Sequence, residues 1–269
     1  MGDTYTLAAV VAMLSVFGLG MSFSLLGSLS VKIMPRLQID QGKFGTLVST
    51  FMSTCVVASV VIGMMLDRWG YKGLAIVGFV ALALAILSVA RASTYGLTSL
   101  ACLLLGVGAM CLNTTGNVLG PKILFEGKNQ AAASNLMNVF FGLGLFLTPM
   151  LLSFLLRKAP YEKAVSVLAI IALIPVLVAI VAGFPAAPAG FTLEGVKTVL
   201  AQPVVVVAAL ILFCYISLEV SLSNWIPPFG KEVISKAGTG LAADAVDASA
   251  QRMLSAFAVA MMIGRLAAS

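Results

Sequence analysis

Histidine is absent from this chain, and charged residues make up only 10% of its 269 positions. Without histidine, the commonest metal ligand and the commonest general base are missing. Four cysteines are present: Cys55, Cys102, Cys111 and Cys214. Each falls inside an apolar run with no metal-type spacing, so they read as small buried hydrophobes rather than ligands. No nucleophile–base pair and no metal constellation is recognisable, which argues against an enzyme. No metal site and no cofactor is expected. Soluble domains carry about 25% charged residues. A chain that is 61% hydrophobic, with mean hydropathy +1.10, has too little charge to cover itself with a polar surface. It is expected to be an integral membrane protein.

The apolar runs are long and unbroken, without strict alternation, so they imply helices rather than a barrel. A net charge of +6 is ordinary at a membrane surface and does not imply nucleic acid. The beginning, Met1-Gly2-Asp3-Thr4-Tyr5, is neither basic nor followed by a cleavage site, so the first run is expected to stay as a helix.

About 20 apolar residues span a bilayer. By that measure segment one covers Leu7 to Met34, segment two Phe44 to Leu66 and segment three Leu74 to Ala90. Segment four covers Leu97 to Leu119, segment five Ala131 to Leu156 and segment six Ala164 to Phe184. Segment seven covers Pro203 to Trp225, and segment eight begins near Arg252 and is still apolar at Ser269. Short connections make neighbours antiparallel. Pro185 to Gln202 holds two prolines and a short amphipathic stretch, Leu193 to Leu200, and reads as a linker between domains. Pro227 to Ser249 is polar and rich in Gly and Ala, and reads as a loop. The expected layout is a six-helix bundle over residues 1–184, a cytoplasmic linker over 185–202, and an incomplete second bundle over 203–269. Because the chain stops at segment eight without a polar tail, it is expected to be a C-terminally truncated fragment of a longer protein.

Polar side chains at membrane depth are the strongest functional markers, because a carboxylate at the centre of a spanning helix costs about 2.5–3.5 kcal/mol. Asn113 and Asn117, spaced i,i+4, share one face of segment four, and Asn135 and Asn138, spaced i,i+3, share one face of segment five. Glu219 lies deep in segment seven, with Asn224 and Trp225 beyond it. Two readings stand for the asparagines: hydrogen bonds between helices, at about 0.6 kcal/mol each, or the wall of a shared cavity. Glu219 faces a wet cavity, a partner or a proton. Trp225 serves either to stack on a ligand or to anchor the interface. Gly18 and Gly20, Gly106 and Gly108, Gly116 and Gly120, and Gly142 and Gly144 read as close helix contacts.

The run Gly63-Met64-Met65-Leu66-Asp67-Arg68-Trp69-Gly70-Tyr71-Lys72-Gly73 sits where segment two must leave the bilayer and turn. Asp67 falls near a helix C-terminus, where the macrodipole disfavours a negative charge. The run resembles the signature of the major facilitator superfamily between its second and third helices, G-x-x-x-D-R-x-G-R-K. Gly63, Asp67, Arg68, Gly70 and Lys72 match, and Tyr71 replaces a basic residue. Leu112 to Pro121 and Ser134 to Gly144 resemble helices four and five of the fucose permease-like sugar transporters. Tyr215 to Ser221 resembles helix seven of that group, and Gly264-Arg265-Leu266 the matching part of helix eight.

That resemblance implies an all-α membrane fold and a secondary or facilitative transporter of a small polar solute, a sugar or polyol, working by alternating access. It implies substrate contacts at Asn113, Asn117, Asn135, Asn138, Glu219, Asn224 and Trp225, and a conformational latch at Gly63, Asp67, Arg68, Gly70 and Lys72. It further implies a monomer in the inner membrane with its N-terminus in the cytoplasm. Loop charges oppose that orientation: the loops placed inside hold five Lys and Arg, those outside ten, the reverse of the positive-inside rule. The family's coupling acids are replaced, in segment four by Asn113 and in segment one by Ser22, Ser24 and Ser28. Glu219 is the remaining intramembrane acid, and the coupling cation, proton or sodium, stays open. The alternatives are an exporter of amphipathic compounds and a non-transporting sensor or scaffold on the same fold.

Overall fold

The computed structural model describes residues 5–187, 193–238 and 240–267. All regular structure among them is helical. In chain order the helices are α1 (Thr6–Leu37), α2 (Gln41–Arg91), α3 (Tyr95–Ile123), α4 (Gln130–Lys158), α5 (Tyr161–Val181), α6 (Leu193–Leu200), α7 (Pro203–Lys236) and α8 (Ala243–Ala267). Among the described residues six helices, α1 to α5 and α7, are long and apolar enough to cross a membrane. Side-chain caps start three of them. Asp40, Thr94 and Asn129 accept the backbone N–H groups of Lys43, Leu97 and Ala132, which satisfies donors that helix starts leave open.

Segments two and three are the two limbs of α2, and the turn between them is a single residue. Gly70 adopts φ 65° and ψ 177°, a conformation that only glycine enters without penalty. The limbs fold back on each other. Thr54 on the first and Ala81 and Leu82 on the second pack at the same level of α3, against Gly106 and Gly108. The turn therefore falls midway, at the Asp67 cluster.

α1 runs through the core with nineteen buried positions. Its serines are turned inward: Ser22, Ser24 and Ser28 donate to the carbonyls of Gly18, Met21 and Ser24. Close approach is glycine-dependent, as the sequence suggests. A Cβ at Gly20 would overlap the Phe141 carbonyl of α4, and one at Gly144 would overlap the Phe17 carbonyl of α1. α5 presents Ile170, Ile174, Leu177 and Val181 outward, the pattern of a lipid-facing side.

Three expectations need correction. Pro227 to Ser249 is not a loop: α7 continues to Lys236 and α8 begins at Ala243, not near Arg252. The two prolines lie inside α7, where they remove the N–H donors that would serve the Ser223 and Asn224 carbonyls. Gly27 of α1 packs directly on that Ser223 carbonyl, so tertiary contact fills the gap. Cys214 is exposed on α7, whereas Cys55, Cys102 and Cys111 are buried. The short amphipathic stretch Leu193 to Leu200 is the helix α6, while residues 188–192 lie outside the described residues.

Candidate functional site

α1, α3, α4, α7 and α8 enclose a cavity of about 810 Å³. Asn113 and Asn117 of α3, Asn138 of α4, and Tyr215 and Glu219 of α7 line it, together with Phe23 and Phe141. The i,i+4 spacing acts as expected: Asn117 Nδ2 donates to Asn113 Oδ1 at 2.8 Å. That bond consumes one donor and one lone pair. It leaves the Asn113 amino group and the Asn117 carbonyl oxygen for the cavity, a donor and an acceptor side by side.

Glu219 is 7% exposed and stands across the cavity from the amide pair, at the level where α7 is covered. Helix α7 is graded in exposure along its length. Leu212 and Tyr215 are open, whereas Val220, Ser223 and Asn224 are buried. The cavity is thus sealed at one end, beyond Glu219, and opens toward the end that holds Asp67.

Ion pairs make the seal. Lys32 Nζ of α1 lies 2.9 Å from Asp247 Oδ2 and 3.1 Å from Asp244 Oδ1, both on α8. Lys231 Nζ of α7 lies 2.7 Å from Asp247 Oδ1. Gln251 of α8 donates to the Ser28 carbonyl at 3.1 Å. Sequence reading missed this cluster because Lys231, Asp244 and Asp247 were assigned to a loop.

The other expected residues fall elsewhere. Asn135 is exposed on α4 and does not line the cavity. Asn224 is buried and its amino group donates to the Val220 carbonyl at 2.9 Å. Trp225 packs edge-on to Phe44, ring centroids 5.7 Å apart, and borders a second crevice of about 680 Å³ between α2 and α7. Phe23, Met110, Ile216 and Val220 are common to both spaces. Phe23 is held there by edge contacts to Phe51 and Phe141.

In the Asp67 cluster, Asp67, Arg68 and Lys72 are exposed and Gly63 is half-buried. Tyr71 is fully buried. Its hydroxyl accepts from Lys122 Nζ at 3.1 Å, so the cation missing at position 71 is supplied from the end of α3. Lys72 donates to the Ile180 carbonyl of α5. The turn is therefore tied to α3 and α5 rather than loose.

A helical chain that crosses the membrane several times and holds a part-polar cavity open toward one end has the architecture of a transporter. The sequence profile of the Major Facilitator Superfamily matches residues 10–269. The chain belongs to that superfamily and is a multi-pass transmembrane transporter. No curated protein matches the sequence.

Proposed function

We propose that the chain carries a small polar solute, a sugar or polyol, by alternating access, and that it stands nearest the fucose permease-like group. The observation that carries this reading is the bonded pair Asn113–Asn117 facing Glu219 in one cavity. Vicinal hydroxyls need a donor and an acceptor at neighbouring positions, and neutral amides supply both without the desolvation cost of charge. Glu219 binds either the solute or the coupling cation. In this reading residues 1–184 form one bundle, 185–202 the cytoplasmic linker, and 203–269 contribute to the second bundle, with the N-terminus in the cytoplasm and the chain in the inner membrane. Asp67 and Arg68 form the latch on that side. Asn138 joins the solute contacts, while Asn135, Asn224 and Trp225 act at a distance from the cavity or on its approach.

A second reading draws on the remainder of the wall. Phe23, Met110, Phe141, Leu212 and Met261 are apolar, which suits an exporter of amphipathic compounds. A thermal-shift screen of sugars and polyols, each with and without sodium, separates the two. The first reading expects stabilisation by at least one sugar or polyol, weakened by Glu219→Gln. Stabilisation by amphipathic cations alone would overturn it in favour of the second.

A further inference from the structure

A third concavity, of about 560 Å³, lies where α4, α5 and α8 meet over α1. Its walls are apolar: Leu147, Met150, Leu151 and Phe154 from α4, Leu168 and Ile171 from α5. Met150 and Phe154 are half exposed on a spanning helix, an apolar surface of the kind that acyl chains cover. Two guanidiniums, Arg157 and Arg252, line the same groove.

Their placement follows from helix geometry. Ser255 of α8 reaches the Phe146 carbonyl of α4, while Asp244 shares a crevice with Arg157. The two helices are therefore antiparallel. Side chains on a helix lean toward its own N-terminus, so Arg157 leans down into the groove and Arg252 leans up, and their charges converge at its head.

Neither arginine makes a hydrogen bond or ion pair among the described residues. The two carboxylates that share a crevice with Arg157 are engaged: Asp244 by Lys32, and Asp247 by Lys32 and Lys231. Lys158 adds a further cation, 4.4 Å over the Phe154 ring. Five cations at this place stand against two carboxylates. An apolar trough with an uncompensated positive head is complementary to one kind of molecule present in every bilayer.

The geometry points to a binding site for an anionic phospholipid, with an acyl chain along Met150, Phe154 and Ile171 and the phosphate between Arg157 and Arg252. The site is separate from the solute cavity and does not depend on which solute is carried. A lipid bound here bridges α4 and α8 and so bears on how these helices separate.

The test uses the full chain purified in detergent, with phosphatidylglycerol, phosphatidylcholine or inorganic phosphate added and binding read by native mass spectrometry and by thermal shift. Phosphatidylglycerol is expected to be retained and to raise the unfolding temperature. The double variant Arg157→Gln/Arg252→Gln is expected to bind it about thirtyfold more weakly, at about fivefold per basic side chain near an anionic headgroup. Met150→Trp, which fills the trough and keeps both charges, is expected to displace the lipid as well. Lys128→Gln, at the opposite end, is the control and should leave binding unchanged. Equal retention of phosphatidylcholine, an equal shift with phosphate alone, or unaltered binding in both groove variants would overturn the assignment.

Discussion

Lys32 and Asp247 lie 215 positions apart in the chain and 2.9 Å apart in space. Their contact joins α1 to α8, and Lys231 extends it to α7. Asp247 is buried, whereas both lysines keep about a third of their side-chain surface. Removing one partner of a fully buried pair costs about 3–5 kcal/mol, and solvent at the lysines reduces this to roughly 2 kcal/mol. Asp247→Asn should lower the unfolding temperature in detergent accordingly. It should also open the sealed end: a cysteine at Ser223, in a Cys214→Ser background, should react faster with a water-soluble maleimide. Unchanged labelling would mean that helix packing alone closes this end.

The amide pair separates cavity residues from bystanders. Asn113→Ala leaves Asn117 short of its acceptor and removes a solute contact. A solute identified by the screen should then bind about tenfold more weakly, the order expected when a hydrogen-bond partner of the solute is lost. Asn135→Ala should leave affinity unchanged, because Asn135 does not line the cavity. Titration of both variants by thermal shift makes the comparison.

Two glycines should fail in different ways. Gly144→Ala pushes α4 off the Phe17 carbonyl inside the core and is expected to cost about 1–3 kcal/mol of stability, as overpacking does. Gly27→Ala pushes α1 off Ser223 of α7, a contact at the sealed end. It should slow uptake into vesicles more than it lowers the unfolding temperature. The reverse ordering would show that Gly27 belongs to a permanent core.

Asp67→Asn should lower the rate of uptake while leaving solute affinity intact, since Asp67 lies outside the cavity and on the turn. A rate loss at constant affinity is the signature of a conformational step. Unchanged turnover in reconstituted protein would sink the latch.

Spanning helices were legible because membrane crossing is a matter of length and hydropathy, both local. The Asp67 run could be read as a turn because it places charges and glycines between two apolar segments, and the structure narrows it to Gly70. Asn113 and Asn117 could be read as neighbours because i,i+4 spacing forces them onto one face. The i,i+3 pair was less secure. Three residues leave Asn135 and Asn138 roughly 60° apart around the helix and about 4.5 Å apart along it, enough for one to line the cavity and the other to miss it.

Pro227 to Ser249 misled because prolines and polar residues are loop signals. Here Gly27 stands against the carbonyl that Pro227 strips of its donor, and two lysines neutralise the acidic start of α8.

Composition and local spacing by themselves determined the solvent this protein lives in, the course of its apolar helices and the position of the Asp67 turn, while the superfamily came from the resemblance of that turn to a known signature. Tertiary structure alone decided which end of the cavity is sealed, which asparagines line it, and where two arginines without a partner among the described residues meet an apolar trough. The reason is physical. Hydrophobic length and helical period act over a few turns of chain, whereas a seal or a site depends on side chains from helices whose separation in sequence carries no signal of their meeting.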